Sequence, residues 1–139
     1  MPKQTKTVAA SRTEASLYLG KAEQFAEESQ RALDESRHDA AMLTAIHAAI
    51  SAADAVAVAL AGRRSVDPDH QRAVDFLEEV GRGSEAIGAR VTQLRALLSK
   101  NNEVEYESRR ATGREADDAV TRAARIVEWA RETIRRARL

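Results

Sequence analysis

Residues 40–61 run for 22 positions without a lysine, arginine or glutamate, and half of them are alanine. That run constrains the fold more than any other feature. Alanine has the highest helix propensity and lets neighbouring helices approach closely. The run is long enough to span a bilayer, yet it carries Thr44, His47, Ser51 and Asp54. An aspartate at a membrane midplane costs about 2.5–3.5 kcal/mol even on insertion scales. A helix apolar nearly all round, with one acid at its middle, is therefore expected at the centre of a helical core.

The rest of the chain supplies neighbours for such a helix. Ala15, Tyr18, Leu19, Ala22, Phe25, Ala26, Ser29, Ala32 and Leu33 form a stripe with helical spacing over Arg12–Leu33. Ser11 and Glu14 have capping-box spacing at its start. The central helix is expected over His38–Ala61, with Gly62 ending it and Arg63–Asp67 as a loop. A third helix follows, with Asp67 as N-cap, Pro68 in its first turn and Gly81–Gly83 as its stop. The fourth begins at Ser84, shows Ile87, Val91, Leu94, Leu97 and Leu98, and is expected to fade at Ser99–Asn102. Adjacent asparagines are poor helix-interior residues, so Val104 and Tyr106 fall in a turn or short helical piece. Thr112 and Glu115 make a second capping box for a fifth helix, with Trp129 off the centre of its apolar stripe. No stretch alternates with the period of a strand. The expected fold is all-α: an antiparallel up-and-down bundle of four to five helices. Residues 1–10 read as a flexible tail and residues 11–139 as one domain.

Composition removes several chemistries. There is no cysteine, hence no thiol nucleophile, disulfide or Cys-ligated metal. Met1–Ala10 is polar and basic, without the apolar segment of a signal peptide, so a cytoplasmic location is expected. Lys+Arg and Asp+Glu are both 22, a balance unlike that of a protein coating nucleic acid. The balance is uneven along the chain. Glu14–Asp39 holds seven acids and three bases, and Arg109–Leu139 nine arginines and five acids. The acidic first helix and basic last helix can pair within the bundle. Alternatively Arg109, Arg110, Arg114, Arg122 and Arg125 present a face to nucleic acid or a partner protein.

Few constellations carry chemistry. There is no Gly-rich phosphate loop and no nucleophile elbow. Glu35-x-x-His38 occurs once, whereas a di-iron bundle needs the spacing twice, so neither metal nor cofactor is expected. His47 reads as a packed histidine with a backbone or hydroxyl partner, and His38 and His70 as solvent-facing. The polar stretch Ser99–Tyr106 lies between two periodic helices, where functional residues often sit.

Three segments together resemble the HEPN-domain family. They are Tyr18–Phe25 in the first helix, Asp39–Ala55 with its Asp-Ala-Ala opening, and Lys100–Tyr106 followed by the helix holding Glu115, Ala116, Ala123 and Trp129. The chain is similar to small stand-alone actinobacterial members. The resemblance spans about Ser11 to Ile134. It implies a bundle of four or five helices, often a homodimer, sometimes beside a nucleotidyltransferase partner in a toxin–antitoxin or defence system. Active members are metal-independent ribonucleases with an Arg-x4–6-His motif before the last long helix. Here that position reads Asn101 and Asn102, then Tyr106, with Lys100 the neighbouring cation. Asparagine carries no charge for a phosphorane, and tyrosine titrates near 10.

The expected function is therefore a non-enzymatic binding or interaction module. One alternative is a divergent ribonuclease in which Lys100 and Tyr106 replace Arg and His and Asn101 and Asn102 donate to phosphate. Another is RNA or nucleotide binding without cleavage through the last helix. Arg31-x6-His38 and Arg64-x5-His70 also fit the motif's spacing. With 18 arginines and three histidines about one chance hit is expected. Arg64–His70 is the better of the two.

Overall fold

The alanine run becomes the axis of the molecule. A computed structural model describes residues 6–106 and 109–137, and in it α2 (His38–Ala61) touches all four other helices: α1 (Ala15–Asp34), α3 (His70–Val80), α4 (Glu85–Tyr106) and α5 (Gly113–Arg136). Fourteen of its residues are buried, from Ala41 to Ala59. Because most are alanines, four helices can close on it without steric conflict. Its hydropathy and length are those of a membrane span, but 67% of that window is buried inside the protein, as for a central core helix.

The elements form for local reasons. Gly62 takes the left-handed conformation (φ 65°) and closes α2 by donating its N–H to the Val58 carbonyl at 2.9 Å. Thr112 accepts from the Glu115 N–H at 3.1 Å and the Glu115 carboxylate accepts from the Thr112 N–H at 3.0 Å, so the second capping box forms as expected. α1 runs antiparallel to α2: Phe25 meets the His47 ring, and one turn back along α1 the charge of Lys21 acts on Asp54. Arg131 of α5 reaches Glu23 of α1 at 3.1 Å, so the acidic and basic helices do lie side by side.

Several local expectations are corrected. Ser11 and Glu14 form no side-chain capping box. Their backbones bond in a 3-10 turn over Arg12–Glu14, and the Ser11 hydroxyl instead meets that of Thr13. Thr7–Ala9 is a strand (β1), not part of a tail, and pairs antiparallel with β2 (Arg63–Ser65), which replaces the expected loop. Residues 1–5 lie outside the described residues. The cap of α3 is Asp69 rather than Asp67: its carboxylate accepts from the Gln71 N–H at 3.0 Å, while Asp67 accepts from the Asp69 N–H. α4 does not stop at the asparagines but continues to Tyr106.

The connection into α5 is held from the far side of the bundle. The Asp39 carboxylate accepts the N–H of buried Ala111 at 2.7 Å. The Arg109 guanidinium grips both oxygens of Glu115 at 2.7 Å each. These two contacts fix the corner between α4 and α5 against the start of α2.

Candidate functional site

The extension of α4 creates the site. Leu94, Leu98, Asn101 and Glu105 follow one another at three- and four-residue steps, with Asn102 beside Asn101, so they share one helix face. Leu94 and Leu98 are buried. The polar residues beyond them face the N-terminus of α3 and the first turns of α2. The resulting cleft, of about 210 Å³, is lined by Leu43, Ile46 and His47 from α2. Asp69, His70 and Gln71 line it from α3, and Leu98, Asn101, Asn102, Glu105 and Tyr106 from α4.

Two imidazoles dominate its floor. The His47 and His70 rings meet edge to face with centroids 5.7 Å apart, and Phe25 packs on His47 at 5.6 Å. Half-burial, and then the charge of His70, hold His47 below its ordinary value of 6.5, against an upward pull from Glu105. His47 is therefore a neutral imidazole at physiological pH. The backbone or hydroxyl partner expected for it is absent among the described residues, and its partners are rings. His70 is exposed, as expected, but stands against His47 rather than free in solvent. Glu105 accepts from the Asn101 amide at 3.1 Å, which orders the α4 wall. Tyr106, 76% exposed, and Leu43, 47% exposed, flank the opening.

The residues singled out from the sequence separate here. Asn101, Asn102 and Tyr106 line the cleft. Lys100 does not: its ammonium binds Glu103 at 3.0 Å and lies 3.7 Å from Glu115. No lysine or arginine lines the cleft among the described residues, whereas two carboxylates, Asp69 and Glu105, do. Arg64, the motif-spaced partner of His70, stacks instead on Tyr18 at 5.2 Å. Arg31 pairs with Glu28, and His38 packs against Gly113. Arg64 does not line the cleft that His70 lines, and Arg31 does not line the depression beside His38.

The five arginines proposed for nucleic acid do not converge. Arg109 is committed to Glu115 and Glu103, and Arg122 to Asp118 at 2.9 Å. Arg110 faces a shallow depression beside Arg37 and His38. Arg114 is exposed at the start of α5, and Arg125 lines an open groove with Arg90 and Trp129. Among the described residues no group of three or more His, Asp or Glu side chains is placed to hold a metal ion.

Sequence reasoning missed His47 and His70 as site residues because they lie 23 positions apart on different helices. The clue available was the continued helical spacing from Leu94 through Glu105, which carries the motif position to the level of His47.

No curated protein and no solved structure matches the chain. A family model described as HEPN domain matches residues 15–133, from the first turn of α1 to the end of α5. The bundle, the central alanine helix and the site position before α5 all fall inside that match, and the chain belongs to the HEPN-domain family.

Proposed function

We propose that this HEPN domain is a binding module whose cleft receives a segment of a partner protein rather than cleaving RNA. One observation carries the reading: among the described residues, the cleft at the family's motif position is lined by two carboxylates and by no lysine or arginine. Asp69 and Glu105 oppose an incoming phosphate and favour a lysine or arginine side chain. Leu43 and Tyr106 at the rim give that segment apolar cover, a polar floor inside an apolar rim being a common form of recognition site. A homodimer or a nucleotidyltransferase-type partner would serve as the source.

Capture of partners from native cells tests the reading. A protein recovered with the wild-type chain and lost with Glu105→Lys supports it. Equal recovery with both chains contradicts it.

A second reading rests on the histidine pair. Two imidazoles 5.7 Å apart, one held neutral, form the acid and base pair that RNA transesterification uses. The missing cation for the phosphorane counts against it.

A further inference from the structure

Beside α1, two cations share one aromatic ring. Lys21 Nζ lies 5.5 Å from the centroid of Tyr18, and Arg64 Cζ lies 5.2 Å from it. Lys21 is one helical turn beyond Tyr18. Arg64 is delivered by β2, whose register against β1 sets Arg64 opposite Val8. Among the described residues neither cation has a carboxylate within 4 Å, and the one hydrogen bond of Arg64 is a long 3.4 Å contact to the Ser65 carbonyl. Elsewhere the chain pairs its cations closely: Arg95, Arg109, Arg122 and Arg131 each hold a carboxylate at about 3 Å or less. Two like charges gathered on a ring, with no carboxylate in ion-pair contact, repel each other, and the ring's π face offsets this only in part.

Asp54 completes the cluster from the middle of α2. It lies within reach of the charge of both cations, yet bonds neither. The charged groups acting on it are Lys21 from α1 and Arg64 from β2. Arg12, in the 3-10 turn before α1, is tied by its Nε to the Ala59 carbonyl of α2 at 2.7 Å.

We propose that Lys21, Arg64 and Tyr18 form a binding site for a tetrahedral oxyanion, inorganic phosphate or a phosphomonoester, with Asp54 taking up a proton when the anion binds. The site shares no residue with the cleft and does not depend on the function proposed for it. Burial already raises the Asp54 carboxyl to about 6 against the pull of Arg64 and Lys21. A bound anion adds a like charge and raises it further. Below pH 6 the neutral carboxyl no longer opposes the ligand and offers an O–H donor. Above it, the carboxylate competes for the same two cations. Binding therefore tightens as pH falls.

Sulfate is a suitable probe because it does not titrate in this range. In the full chain, sulfate is titrated at about pH 5 and about pH 8 while the Arg64 side-chain N–H and Tyr18 ring resonances are followed. The expected result is a saturating shift, with affinity roughly tenfold higher at the lower pH for each pKa unit that the anion adds to Asp54. Asp54→Asn binds equally well at both pH values. Lys21→Gln and Arg64→Gln each lose saturation while keeping the wild-type amide spectrum. If Arg64→Gln disturbs the β1–β2 ribbon, Lys21→Gln alone decides. At pH 8, equal affinity for phosphate and glycerol phosphate assigns the site to the free anion, and preference for the ester assigns it to a phosphomonoester. Linear shifts spread over other surface arginines, meaning an adventitious ion only, overturn the proposal. So does a pH dependence that survives in Asp54→Asn.

Discussion

Single side chains set the geometry of both polar regions. Asp39 is the clearest case, because its carboxylate is the hydrogen-bond partner of the buried Ala111 N–H. Asp39→Ala leaves that donor unpaired and is expected to cost about 1–3 kcal/mol in denaturant unfolding. A loss below 0.5 kcal/mol would show that the corner is held by Arg109 and Glu115 alone. Asp54 gives a pH signature. Its carboxyl sits near 6 in the folded protein against an ordinary 3.8, so the folded state binds the proton more tightly. Its contribution favours folding below about pH 4 and is lost as pH rises through 6. Asp54→Asn should therefore stabilise the protein at pH 8 by roughly 2 kcal/mol and leave it nearly unchanged near pH 4. Thermal melts across that range check the sign. At this scale the sequence pointed to Asn101, Asn102 and Tyr106 but not to the histidines they face. Types and local spacing are visible in a sequence, whereas a ring-to-ring contact between helices depends on how those helices pack.

The helices and their ends show where local signals suffice. The bounds of α2 and the start of α5 follow from Gly62 and from the Thr112–Glu115 box, both of which act within one turn. The Asn101–Asn102 pair misled because helix propensity is a weak prior, and here buried Leu97 and Leu98 and the Asn101–Glu105 hydrogen bond override it. The β1–β2 ribbon was illegible for another reason. Three-residue strands show no alternation, and their pairing joins distant parts of the chain, for example Val8 with Arg64. Two substitutions test this level. Asn102→Ala removes a poor helix former from an exposed helical position and should stabilise α4 by about 0.5 kcal/mol. Destabilisation by that substitution would mean that Asn102 has a structural partner. A Cβ at Gly81 would lie 2.2 Å from the Ile87 side chain and 2.6 Å from its Cβ. Gly81→Ala is thus expected to cost roughly 2 kcal/mol by overpacking, measured by chemical unfolding. A neutral result would show that the α3–α4 turn yields freely.

Across the whole molecule, zero net charge conceals an internal arrangement. Glu23 on acidic α1 meets Arg131 on basic α5, and along α5 the acids Asp118, Glu128 and Glu132 pair with Arg122, Arg131 and Arg135. The last helix therefore presents mixed charge rather than a basic strip. The bundle itself was readable from the alanine run, since a helix apolar on every side must be surrounded. What surrounds the cleft was not, because it depends on where α3 and α4 end relative to α2. On the proposed reading, the cleft of His47, His70, Glu105 and Tyr106 binds without cleaving. Incubation of the purified full chain with tRNA and mRNA tests it most directly, with His47→Ala and His70→Ala run in parallel. Intact RNA is expected with all three proteins. RNA cleavage by the wild type that is lost in either histidine variant would contradict it and make the cleft a ribonuclease site.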